Sequence, residues 1–251
     1  MSTDPGTIIV TGGSRGIGAA VAKLAGARGY AVAVNYRSGK AQADAVVEAI
    51  TKAGGRALAI AGDVADEAAV LNLFATAERE LGPIKALVNN AGITGPYGMA
   101  ESLKRETWAQ VLDVNVLGAA LCAREAVKRM STKHGGTGGA IVNMSSKAAT
   151  LGSPNSWLQY AASKGAIESF TRGLAYEVAR EGIRVNAVAP GLIDTEIHAA
   201  GGGSQRLADA LPTVPMGRIG RAEEVAEAVL WLLSPAASYV IAAILPVSGG
   251  R

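Results

Sequence analysis

Short runs rich in β-branched residues alternate with longer helical patterns along all 251 residues, and this alternation constrains the fold more than any other feature. The runs are TIIVT (7–11), AVAVNY (31–36), ALAIAG (57–62), ALVNNA (86–91), GAIVNMS (139–145), IRVNAVA (183–189) and AAILPV (242–247). Between them lie periodic, Ala-rich segments near 16–28, 39–53, 66–81, 104–131, 157–180 and 222–233. A strand that is apolar on both sides must be covered on both faces. Strands joined through helices run parallel. The chain is therefore expected to form one α/β domain, residues 1–251, around a parallel sheet with helices on each side. One stretch departs from the rhythm. Residues 194–216, with three consecutive glycines and two prolines, read as a mobile lid over the carboxyl ends of the strands.

Composition narrows the function classes. Hydrophobic residues make up 49% of the chain and charged ones 18%, which supplies a core and excludes disorder. The net charge of +3 is spread without a basic block, so neither nucleic acid nor a membrane surface is an expected partner. The single cysteine, Cys122, sits in a helical pattern as a buried inert thiol and fits a reducing, cytoplasmic compartment. His134 and His198 stand apart from other ligand-type residues, so no metal is expected. The N-terminal stretch lacks the basic flank and apolar run of a secretion signal, and no apolar run reaches membrane length.

The first strand runs into TGGSRGIG, where Gly12, Gly16 and Gly18 are spaced G-x-x-x-G-x-G at the opening of a helix. Glycine allows a tight turn and close approach of a pyrophosphate, whose charge the helix start favours. The same pattern also fits an ordinary tight turn. About twenty residues on, the second strand ends in Asn35, Tyr36 and Arg37 rather than in the acid that would bond a free ribose hydroxyl. Arg37 and Arg15 could converge on a 2′-phosphate, which favours NADP(H) over NAD(H), or could be surface arginines. Further along, Tyr160 and Lys164 lie one helical turn apart. Taken alone, they also fit a core tyrosine and a solvated lysine.

TGGSRGIG, GDV (62–64), NNAG (89–92), VNV around Asn115, NMSS (143–146), YAASK (160–164) and RVNAVAPG (184–191) occur in this order, and the chain resembles the short-chain dehydrogenase/reductases over nearly its whole length. The resemblance implies a single-domain Rossmann fold with a seven-stranded parallel sheet, a nicotinamide coenzyme, and a catalytic set that falls on Asn115, Ser146, Tyr160 and Lys164. Tyr160 would be the acid in reduction and the base in oxidation. Its phenol would be lowered in pKa by the Lys164 ammonium and the oxidised nicotinamide. Lys164 would also hold the nicotinamide ribose, Ser146 would donate to the substrate oxygen, and Asn115 would hold a proton-relaying water. Ser145 competes with Ser146, and the count from the strand asparagine selects Ser146. For Asn115 the alternative is a polar residue that bends a helix; for Asp63 it is a helix cap or loop acid.

The resemblance also assigns coenzyme contacts. Gly12, Ser14, Arg15, Gly16, Ile17 and Gly18 would form the phosphate loop, with Asn35, Tyr36 and Arg37 after it. Asp63 and Val64 would meet the adenine, and Asn89, Ala91 and Gly92 would wall the ribose. Pro190, Gly191, Ile193 and Thr195 would border the carboxamide. Ile241 and Ala242 stand where the family often has Thr-Gly, which puts that turn in question. The substrate pocket is expected from residues 93–98, 148–157 and the lid, with Thr94, Tyr97, Ser153, Asn155 and Gln159 beside Leu151, Trp157 and Ile197. Such a lining suits a small carbonyl or alcohol, sugar-like or polyol-like, with a 3-oxoacyl thioester as an alternative. A non-catalytic NADP-binding sensor is the reading from another class. Pairing of the long helices 104–131 and 157–180 between subunits would give a homotetramer.

Overall fold

A computed structural model of the chain describes residues 5–195 and 209–251. The strands are β1 (Thr7–Val10), β2 (Ala31–Tyr36), β3 (Arg56–Ala61), β4 (Ile84–Asn89), β5 (Gly139–Met144), β6 (Ile183–Pro190) and β7 (Ile244–Val247). They form one seven-stranded sheet in the order β3-β2-β1-β4-β5-β6-β7. Every pairing is parallel. The order reverses between β1 and β4, which opens a crevice at the carboxyl ends of the strands.

The period of two along each strand divides the core into two layers. Ile8, Val10, Val32, Val34, Ala86, Val88 and Val142 face one side, against α1 (Gly16–Ala27), α2 (Lys40–Lys52) and a late helix, α8 (Ala222–Leu233). Ile9, Ala33, Leu87 and Ile141 face the other, against α3 (Glu67–Leu81), α5 (Gly118–Met130) and α7 (Leu158–Val178). Phe74 of α3 is fully buried there. Its replacement by Ala would cost about 3–5 kcal/mol.

The 104–131 segment is not the continuous helix that its periodicity predicts. It divides into α4 (Arg105–Leu112), a π-helical stretch over Asp113–Leu117 and α5. The physical reason is Asn115, which is buried at 1% exposure in the middle of the stretch. Its amide donates to the Ile93 carbonyl and to Ser163 Oγ, both at 2.9 Å, and its Oδ1 accepts from the Ile93 amide at 2.8 Å. An inward-turned polar residue with three such partners widens the helix around it. A short helix, α6 (Ala148–Leu151), precedes α7.

Ala242 takes the left-handed conformation, with φ of 57°, at the position where a glycine would do so without strain. The turn keeps its geometry through Asn186, which donates to the Val240 carbonyl at 2.9 Å and accepts from the Ala243 amide at 3.0 Å. Of the expected lid, residues 196–208 lie outside the described residues, Ile197 and His198 among them. Among the described residues no helix is long and apolar enough to cross a membrane.

Candidate active site

Two connected clefts open at the carboxyl edge of the sheet. The larger, about 780 Å³, is lined by Gly12, Ser14, Arg15, Gly16 and Ile17 of the glycine loop, and by Asn35, Tyr36 and Arg37 after β2. Asp63, Val64, Ala91, Gly92 and Thr195 complete most of its wall. The smaller, about 300 Å³, contains Ser146, Tyr160, Lys164, Pro190, Gly191 and Ile193. Ile17, Asn90, Gly92, Thr94 and Thr195 border both, so the clefts form one continuous crevice.

The glycine loop owes its shape to backbone contacts. Gly12 and Gly16 have φ of 60° and 53°, a region that side chains disfavour. Gly18 plays another part than lining the cleft, where sequence reasoning had placed it. A Cβ there would lie 2.3 Å from the Gly12 carbonyl oxygen, so the missing side chain lets α1 close onto the loop. Asn35 clamps the same loop from behind. Its carbonyl accepts from the Gly13 amide at 2.8 Å, and its side chain donates to the Gly62 carbonyl at 3.0 Å.

Arg37 and Asp63 face each other across the mouth of the larger cleft, 3.6 Å apart and partly exposed. Asp63 also accepts from the Ala65 amide at 3.0 Å, so it is a loop acid that reaches the cleft; the helix cap is Asp66. Arg15 is exposed on the loop. The cleft thus brings together two guanidinium side chains, a glycine-shaped loop and a helix start. That donor set fits a dinucleotide with an additional phosphate.

Asn89 requires a correction. It was expected in the coenzyme wall, but it is 5% exposed and turned into the interior, donating to Asn143 Oδ1 at 2.9 Å and the Ala119 carbonyl at 3.0 Å. Asn90 takes the wall position, with its amide donating to the Thr11 and Gly12 carbonyls at 2.9 and 3.0 Å. The reason is the alternation at the end of β4, where neighbouring residues face opposite sides. That signal was present in the sequence. Gly62 and Val114, inside the GDV and VNV motifs but given no role there, also line the cleft, as does Ser38, which lies in no motif.

In the smaller cleft Tyr160 stands beside Ser146, whose hydroxyl acts to lower the phenol, and the Lys164 ammonium lies 5.5 Å from the centroid of its ring. Lys164 Nζ donates to the Met144 carbonyl at 2.7 Å. Burial pulls the lysine down to about 8. The phenol moves opposite to expectation. Burial pushes it up from 10, and only the Ser146 hydrogen bond acts to lower it. The protein's own groups therefore do not produce an acidic phenol.

Asn115 lies behind this cleft rather than in it. A Cβ on Gly92 would stand 3.3 Å from its Oδ1 and 3.6 Å from Lys164 Nζ. Both of its amide hydrogens are committed to Ile93 and Ser163, so its side chain keeps only the second lone pair of Oδ1 for a water. Ser163 in turn donates to the Tyr160 carbonyl at 2.7 Å, linking Asn115 to the turn of α7 that carries the phenol.

Of the expected substrate wall, Thr94, Leu151, Ser153 and Trp157 line the smaller cleft, with Ala148, Pro154 and Ser156. Tyr97, Asn155 and Gln159 do not. Gln159 is 1% exposed and donates to the Thr94 and Pro96 carbonyls at 3.0 Å, which pins the 93–98 loop to α7 from inside. Tyr97 packs edge-on against Trp157, ring centroids 6.1 Å apart. Ser153 and Asn155 adopt φ of 45° and 58° in the loop between. Cys122 is buried, its thiol pushed up to about 12, as an inert core residue. Among the described residues no group of His, Cys, Asp and Glu could hold a metal ion.

Comparison with known proteins places this geometry. The family model described as Enoyl-(Acyl carrier protein) reductase matches residues 12–251. The uncharacterized oxidoreductase YgfF of Escherichia coli (strain K12) is 51% identical, with 97% of this chain and 98% of that protein covered. Glucose 1-dehydrogenase 2 of Bacillus subtilis (strain 168) is 40% identical over 97% of this chain and 93% of that protein. Among solved structures, a short chain dehydrogenase from Burkholderia cenocepacia J2315 in complex with NADP superposes with a TM-score of 0.91 at 33% identity, covering 100% of this chain and 99% of that one.

Proposed function

The chain is an oxidoreductase that belongs to the short-chain dehydrogenase/reductase family, and from that premise we propose that it reversibly interconverts a small carbonyl compound and its alcohol with NADP(H). One observation carries the reading: Tyr160, beside Ser146 and overlooked by the Lys164 ammonium, stands in a cleft continuous with the glycine-lined one. The nicotinamide, when bound, supplies or accepts the hydride.

The protein's residues manage position and protons. Gly12, Ser14, Arg15, Gly16 and Ile17 hold the pyrophosphate side, and Arg15 with Arg37 holds the 2′-phosphate. Asp63 and Val64 serve the adenine end, and Ala91 and Gly92 the ribose. Pro190, Gly191, Ile193 and Thr195 serve the carboxamide end. Ser146 donates to the substrate oxygen, an electrostatic role strongest where charge develops on that oxygen. Tyr160 delivers its proton to the same oxygen in reduction and removes it in oxidation. Lys164, anchored by the Met144 carbonyl, holds the nicotinamide ribose and keeps a positive charge near the phenol. Asn115 braces the turn that carries Tyr160 and offers its remaining lone pair to a relay water.

The cleft's mixture of Thr94, Ser153 and Ser156 with Leu151 and Trp157 favours a sugar-like or polyol-like substrate. A relative named as a glucose dehydrogenase points the same way. The family model's description, an enoyl reductase, names an acyl-carrier-protein thioester, and a thioester of that kind with a 3-oxo group, the carbonyl this site would reduce, is the second reading. We read the working form as a cytoplasmic homotetramer.

A panel of carbonyls and alcohols scored by the absorbance of reduced nicotinamide tests the reaction. Tyr160→Phe is expected to lower turnover about 1,000-fold while coenzyme affinity holds within about threefold. A wild-type chain that binds NADPH but turns over nothing would favour the non-catalytic sensor.

A further inference from the structure

The end of β5 is tied to α7 by three consecutive residues. The Met144 carbonyl accepts from Lys164 Nζ at 2.7 Å, the Ser145 hydroxyl donates to Glu168 Oε1 at 2.9 Å, and Ser146 stands against Tyr160 in the smaller cleft, acting on its phenol. Residues 160, 164 and 168 follow one another at four-residue spacing, along one face of the helix. Two of these ties belong to the reaction proposed above. The middle one has no role assigned there: Ser145 borders the smaller cleft, but Glu168 lines neither.

Glu168 is nevertheless an unusual residue for this place. Its side chain is only 13% exposed, and a carboxylate loses solvation there unless a donor meets it. Arg172 approaches its other oxygen at 3.7 Å from the solvent side. The close donor is Ser145, itself 3% exposed and held by its amide to the Val188 carbonyl at 2.8 Å. Lys147 continues the pattern, its amide donating to the Pro190 carbonyl at 2.9 Å. Each peptide unit on either side of Ser145 is planar and rigid. Anchoring the Ser145 side chain therefore restricts both the direction of the Met144 carbonyl and the origin of the Ser146 side chain.

We propose that Glu168 and Ser145 form a positioning pair that holds the β5–α7 junction so that Ser146 meets Tyr160 and the Met144 carbonyl meets Lys164. Glu168 acts through Ser145 and touches neither substrate nor coenzyme. The consequence for turnover rests on the catalytic reading above; the geometric role of the pair does not.

The test compares Ser145→Ala, Glu168→Ala, Glu168→Gln and the Ser145→Ala/Glu168→Ala double variant, all at a temperature where each stays folded. In the chain without coenzyme, hydrogen exchange at the amides of residues 145 and 147 should quicken about tenfold in both alanine variants and stay near wild type in Glu168→Gln, whose amide oxygen still accepts. With a carbonyl that the wild type reduces, kcat should fall about tenfold in each alanine variant and KM should change less than about twofold. The double variant should be no worse than Ser145→Ala alone, which already removes the bond to Glu168 together with the longer 3.5 Å contact of the Ser145 hydroxyl to the Lys164 carbonyl. The pair is refuted if Glu168→Gln exchanges as fast as Glu168→Ala, if the alanine variants exchange like wild type, or if the kcat losses multiply. If no carbonyl is reduced, the reaction reading fails by itself and the exchange comparison still decides the pair.

Discussion

The glycine-lined cleft on the β1–β3 side, proposed to hold the coenzyme, and the smaller Tyr160 cleft on the β5–β6 side, proposed for the reaction, share a border but are held in different ways. In the first, backbone does the shaping: left-handed glycines at 12 and 16, the closure of α1 over Gly18, and an Asn35 clamp on main-chain groups. Its charged residues, Arg15, Arg37 and Asp63, reach outward toward solvent. In the second, buried side chains do the shaping. Lys164 is 4% exposed, Asn115 1% and Ser145 3%, each bonded to another element. A cleft made of backbone shape resists added atoms, whereas one made of buried polar groups keeps those groups at a cost in stability.

The sharpest way to break this contrast is Gly18→Ala. The added methyl would meet a main-chain oxygen that no rotamer can move, so coenzyme affinity should fall at least about 100-fold in a fluorescence titration. Affinity near wild type would show that the loop tolerates expansion. The outward charges should behave otherwise. Replacing Arg15 and Arg37 together by Ser should weaken NADPH about 100-fold and change NADH less than about threefold, measured side by side. Equal losses for both coenzymes would remove the 2′-phosphate role.

The reaction cleft answers to stability rather than affinity. Because the Lys164 pKa lies near 8 instead of 10.5, the folded chain binds fewer protons than the unfolded chain between those values. Its burial penalty is therefore complete below about pH 8 and fades as the pH rises toward 10.5. Lys164→Met should raise unfolding free energy at pH 7 by about 1–2 kcal/mol, after the lost bond to Met144 is counted, and by less at pH 10. Urea unfolding at both pH values reads this. A variant less stable at pH 7 than wild type would mean that the ammonium is a net support. The smallest effect is a control outside both clefts. Ala242→Gly relieves the left-handed strain and should stabilise by about 0.5–1 kcal/mol without touching coenzyme affinity.

Much of this was legible in the sequence, though unevenly. The short, near-continuous apolar runs and the helical spacing between them pointed to the seven strands and to cover on both faces of the sheet, because both signals are local. Gly12 and Gly16 announced a turn with positive φ, and the four-residue spacing of Tyr160 and Lys164 announced a shared helix face. Asn89 reads as a wall residue in the sequence because a motif names residues without saying which way each faces. Gln159 reads as lining in the sequence because its polarity is visible there while its burial is not. The break at Asn115 escaped the periodicity because its cause is the Ile93 backbone, 22 residues away.

What the amino-acid order determined alone was the alternating architecture, since it follows from near-neighbour spacing and backbone freedom, whereas the proposed catalytic set came from the resemblance of seven ordered motifs. Tertiary structure decided the direction of the pKa shifts, the inward turn of Asn89, the commitments of Asn115 and the bond between Ser145 and Glu168. Each of those depends on how much water is excluded and on which distant group fills the vacated space. Both are properties of packing between elements that no local pattern encodes.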